Sequence, residues 1–241
     1  MRINPDIKYS QLSQEFKEHL KFINPNDTIQ SVWTLLVVLY DLPLFLSLLT
    51  AGKIEFLWLL MPLIVALHLW GIRLSIKNPY STQLESVLFI GISSMIGTLT
   101  FFIMIQGISF YQLNISAPIY YIVINMLLVI STYFFIKYQI DKFSRDPTEE
   151  QNRANPYKNS AFLSTVPILG SVIGRQLTDI DPLEFFIILG LIFLTYCFHV
   201  YAAAKFMHRY FFIKRNFAYV AYKKPLKRDR KELIKKGVEY K

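Results

Sequence analysis

A single aspartate stands inside a long apolar run: in LYDLPLF, residues 39–45, Asp41 has SVWTLLVVLY before it and LPLFLSLLT after it. If the run crosses a bilayer, the carboxyl sits near the middle, where an ionised side chain costs roughly 2.5–3.5 kcal/mol on insertion scales. Such a group is expected to be paired, protonated or functional, and its natural chemistry is proton carriage or contact with a polar ligand. Four more polar groups in apolar surroundings accompany it, His68, Ser93, Asn125 and His199. At about 1.5 Å per helical residue, Asp41 and Asn125 fall about 15 Å from the inner edge and the two histidines about 8–10 Å from it, with Ser93 close to their level. Together they make a candidate intramembrane polar cluster.

Two readings of Asp41 follow. In the first it packs helices, hydrogen-bonded to Asn125 or a hydroxyl, with Pro43 kinking the helix just beyond it. In the second it carries a proton or touches a ligand. His68 and His199 lie near the inner ends of their runs, where an imidazole can reach interfacial water.

Signatures of catalysis are missing. GISS at residues 91–94, followed by His199, resembles in part the serine–histidine dyad of rhomboid intramembrane proteases. However, Ser94 stands where that motif has its second glycine, and no other rhomboid signature is present. There is no HExxH, no P-loop and no glycine fingerprint. The single Cys197 excludes an internal disulfide and a CxxC site. The chain is read as non-catalytic, with no metal and no cofactor.

The elements that position these groups are apolar blocks. Of 241 residues, 53% are hydrophobic and 18% charged, against about 45–50% and about 25% in soluble domains. Six spans are expected, at about 31–50, 55–74, 86–108, 118–138, 160–175 and 183–204. The 160–175 stretch, with Pro167, Gly170 and Gly174, is short and kinked. The polar first thirty residues lack the form of a cleavable signal. Lys and Arg alternate by loop: four in the N-terminal segment, then one, two, none, five and one in successive loops, and thirteen from Lys205 onward. Positive residues stay inside, so both termini are expected in the cytoplasm and the fold is an all-α six-span bundle. Asn114-Ile115-Ser116 is a sequon on the outer side, too short a motif to carry an assignment.

The flanks differ in character. Residues 1–30 form an amphipathic cytoplasmic segment in which Tyr9, Leu12, Phe16 and Leu20 share a helical face suited to the inner membrane interface. Residues 205–241 form a basic aromatic tail with thirteen basic and three acidic residues, a net +10 that accounts for the whole +9 of the chain, since the rest nets −1. Its candidate lipid- or partner-binding residues are Lys205, Arg209, Lys214, Arg215, Lys223, Lys224, Lys227, Arg228 and Arg230. Anionic headgroups at the cytoplasmic face suit this mixture, and nucleic acid is not expected.

The expected function is that of a multi-pass membrane protein acting through a membrane or secreted protein partner, as a secretion or export accessory subunit or a toxin-immunity protein. The alternative is a small transporter or an ABC-type permease subunit with Asp41 as the proton- or substrate-contacting residue. Heavy use of Ile, Phe, Tyr, Lys and Asn points to the plasma membrane of a low-GC bacterium.

Overall fold

The computed structural model describes residues 2–45, 58, 60–111, 113–149 and 182–220, with side chains in the last stretch from Leu189 onward. The expected segment 160–175, the junction between the first two spans and the tail residues Lys223, Lys224, Lys227, Arg228 and Arg230 lie outside the described residues.

Among the described residues the chain is helical and has no strand. We number the helices α1 (Gln14–Leu20), α2 (Pro25–Phe45), α3 (Met61–Ile76), α4 (Gln83–Tyr111), α5 (Pro118–Phe143) and α6 (Pro182–Arg215). Four are long and apolar enough to cross a membrane: α2, α4, α5 and the Leu189–Arg215 part of α6. α3 is apolar but shorter.

Helices α4 and α6 form the antiparallel spine, in register where small residues let the backbones approach. A Cβ on Gly97 would lie 2.0 Å from Cδ2 of His199, and one on Gly91 would lie 3.2 Å from the backbone nitrogen of Met207. Glycine at these points is a requirement of the close approach. Phe101, Met104 and Ile105 of α4 then pack with Phe193, Tyr196 and Val200 of α6 into the main core.

Tyrosine hydroxyls tie the other helices to this spine. Tyr40 Oη of α2 lies 2.7 Å from Thr100 Oγ1 of α4. Tyr120 of α5 meets Ser109 of α4 at 2.8 Å, and Tyr196 of α6 meets Thr132 of α5 at 2.7 Å. In each pair the smaller hydroxyl donates to the carbonyl four residues back in its own helix. The tyrosine therefore has an acceptor to donate to, and both hydroxyls of each pair are satisfied.

Part of α2 is a π-helix, Thr34–Asp41, and the Leu42 N–H reaches the Val37 carbonyl five residues back. Pro43 has no N–H and crowds the carbonyl four residues before it, so the hydrogen-bond ladder must open just upstream. The π segment ends two residues before that proline.

The helices overrun the expected boundaries at several ends, and two differences reshape the ends of the bundle. The helix of the expected span 183–204 does not stop there: α6 runs on to Arg215. KFMHRYFFIKR keeps helical spacing on two faces: Phe206, Tyr210 and Ile213 join Phe22 and Val87, while Phe212 turns to Phe16 and Phe143. The stretch that carries Tyr9, Leu12, Phe16 and Leu20 is also not one helix. A 3-10 turn, Tyr9–Gln11, precedes α1, and Leu12, Phe16 and Leu20 are buried against α5 and α6. Its apolar face thus finds protein aromatics.

Candidate functional site: a carboxylate–imidazole pair on the α2–α3 face

Helices α2 and α3 pack as an antiparallel pair. Trp33 Nε1 donates to Ser75 Oγ at 3.0 Å, and the site of a Cβ on Gly71 is 2.7 Å from Cδ1 of Leu36. This register brings residue 41 level with residue 68. Tyr40, pinned inward on Thr100, leaves the next residue to face α3. Asp41 Oδ2 lies 3.0 Å from His68 Nε2.

The other ring nitrogen decides the protonation chemistry. His68 Nδ1 is 2.8 Å from the Ile64 carbonyl oxygen, which can only accept, so Nδ1 carries a hydrogen. The Nε2 to Oδ2 contact then needs one more proton, either on the carboxyl facing a ring lone pair or on an imidazolium facing a carboxylate. Both forms are neutral as a pair. Without that proton, a carboxylate would face a lone pair and repel it. The arrangement holds one exchangeable proton.

The pair is not sealed in the bundle: the side chains are 35% exposed for Asp41 and 28% for His68. Around it lie exposed apolar residues at helical spacing, Val38, Leu42 and Phe45 on α2 and Val65, Leu69 and Ile72 on α3. A polar centre therefore sits in an outward apolar stripe.

The remaining expected cluster members lie elsewhere. Asn125 accepts from Gln106 Nε2 at 3.2 Å and donates to the Tyr121 carbonyl at 2.7 Å. It lines an apolar groove of about 550 Å³ on the outside of α5, with Met126 and Val129. Ser93 donates to the Phe89 carbonyl of its own helix at 2.6 Å. His199 is fully buried beside Phe101, with Nδ1 2.8 Å from the Thr195 carbonyl and no partner for Nε2 among the described residues. The structure thus joins Asp41 to His68 and separates both from the other three.

No known family, curated protein or solved structure matches this chain. Its reading rests on its own geometry.

Of the basic residues, Lys205 lies over the ring of Tyr201 at 5.6 Å, and Lys214 and Arg215 are exposed. Arg209 is committed to protein, its guanidinium donating to the carbonyls of Glu18 and Lys21 at the end of α1. Sequence reasoning missed His19 and His208, which meet at 3.0 Å across that same junction. They stand 189 positions apart, so no local spacing signals them. It also missed the tyrosine–hydroxyl ties, whose only trace is the recurrence of Tyr, Ser and Thr in apolar blocks.

Proposed function

We propose that this protein is a non-catalytic multi-pass membrane protein that holds a partner inside the bilayer, with the α2–α3 face as the docking surface. The partly exposed Asp41–His68 pair within its apolar stripe carries this reading. A polar pair turned toward acyl chains lacks hydrogen-bonding surroundings, whereas a partner helix with its own polar group supplies them. The distribution of Lys and Arg supports a six-span arrangement with both ends cytoplasmic and the basic tail against anionic headgroups. Within a bacterial plasma membrane, such a protein serves as an export accessory subunit or a toxin-immunity protein.

The test is a photo-crosslinking residue at Leu69, 62% exposed, with a control at the fully buried Leu74. In native membranes the Leu69 position is expected to give one discrete adduct to an apolar helical peptide. The adduct should vanish in Asp41→Leu/His68→Leu. Adducts to lipid alone, or an adduct indifferent to that double change, contradict the reading.

A second reading, a small proton-linked transporter, is favoured by the one shared proton of the pair and by the π segment that ends on Asp41. Asp41→Asn keeps a hydrogen bond to His68 but cannot release a proton. In proteoliposomes, proton flux lost in this variant at unchanged protein level supports transport. Absence of flux in the unmodified protein removes that reading.

A further inference from the structure

The N-terminal segment is fastened to the ends of α5 and α6 by more contacts than an anchor needs. Ile3, Leu12, Phe16 and Leu20 are buried with Phe143 and Phe212. The Ile3 N–H donates to Asn216 Oδ1 at 2.7 Å, and Tyr219 Oη lies 2.9 and 3.0 Å from the carbonyls of Asn4 and Ile7, which share its one hydrogen. The Ser13 N–H reaches the Pro147 carbonyl at 2.8 Å. Among these uncharged ties one is titratable. His19 Nε2 lies 3.0 Å from His208 Nδ1, and the His19 ring stacks on Phe143 with centroids 3.8 Å apart.

We propose that the His19–His208 contact is a proton-sensitive latch that releases the N-terminal segment from α5 and α6 as pH falls below the ordinary histidine range. The contact needs one N–H facing one lone pair, which two neutral rings supply. A first proton keeps that hydrogen bond but places a cation in an aromatic slot. A second removes the remaining lone pair and sets two N–H groups against each other.

The surrounding charges add to this. Facing the slot are Lys142 from α5 and Lys205 and Arg209 from α6. The carboxylates of α1 face these cations and not the imidazoles: Glu15 pairs with Lys142 at 3.5 Å, and Glu18, which accepts from Gln14 at 3.2 Å, acts on Arg209. Lys17 turns back to the Ser10 carbonyl at 3.0 Å. Burial first, and then the charges of His208, Arg209, Lys205 and Lys142, push His19 down to about 2. A released His19 returns to about 6.5. The released form therefore binds more protons, and docking is favoured above that value and weakens as pH falls through it.

The experiment is amide hydrogen exchange of the full chain in lipid nanodiscs, from about pH 7.5 to about pH 5, corrected for the intrinsic pH dependence of exchange. Protection of α1 should fall about tenfold per pH unit below about 6.5, while α4 keeps its protection throughout. In His19→Gln/His208→Gln the α1 slope should disappear. Where that variant is already unprotected at the upper pH, His19→Phe keeps the stack on Phe143 with no proton to take, and its slope should be shallower. Flat α1 protection in the unmodified protein, loss of α4 protection in step with α1, or an unchanged slope in the variants each overturns the latch.

Discussion

His68 and His19 each have a ring nitrogen 3.0 Å from a titratable partner, yet their surroundings assign them opposite behaviour toward a proton. His68 faces a carboxyl, so one proton between them makes the pair neutral and its loss leaves a charge. His19 faces a second imidazole inside a ring of cations, so the pair is neutral without an extra proton and charged with one. Exposure follows the same division: His68 is 28% exposed, His19 is 5%. The same side chain thus makes an outward polar centre on one face and a sealed joint at one end. What decides is the partner and the local charge.

The largest expected effect breaks the joint and spares the pair. Phe143 stacks on His19 and on His208 and packs against Phe16 and Phe212. Phe143→Ala should cost about 3–5 kcal/mol of docking, read as loss of α1 protection from exchange while α2 and α3 stay protected. Unchanged α1 protection would mean the aromatic stack is not what holds the segment.

Next comes the reverse experiment. His68→Ala leaves the Asp41 carboxyl without its imidazole and should lower stability by about 1–3 kcal/mol, seen in thermal unfolding in detergent. Asp41→Leu/His68→Leu should cost less than the single change, because removing both polar groups leaves neither unpaired. A double variant weaker than the sum of the two singles would show that the pair does more for stability than satisfy itself.

Arg209 sharpens the comparison at the joint. Its planar fork holds two carbonyls at the end of α1, a geometry an ammonium does not reproduce. Arg209→Lys should cost about 1 kcal/mol and raise the α1 exchange rate at every pH without changing its pH slope. The smallest effect belongs to Asp41→Asn, below about 1 kcal/mol, since the amide can donate to the Nε2 lone pair. A large loss of stability there would mean that the ionised carboxylate itself is structurally required.

Much of the helical order is visible in the sequence because long apolar blocks bounded by Pro25, Pro118 and polar turns leave few alternatives. Asp41 and His68 were both visible as isolated polar groups, but not as partners. Ending the second run at 74 instead of carrying the helix through Ile76 places His68 two residues too shallow. A uniform helical rise also ignores the π segment that Asp41 closes. The continuation of α6 past 204 was hidden by hydropathy, which drops at Lys205, although the spacing of Phe206, Tyr210 and Ile213 persists. Nothing local reports the meeting of His19 with His208, which depends on α1 folding back onto the far end of the chain.

Nitrogen NMR of histidine-labelled full-length protein in lipid, near pH 7.5, tests the contrast between the two sites most directly. His→Gln variants assign the four histidines. The expected spectrum has His68 protonated at Nδ1 with a proton shared between Nε2 and the Asp41 carboxyl, and His19 and His208 both neutral. A His68 ring with a bare Nδ1, or a charged imidazolium at position 19, would contradict the account.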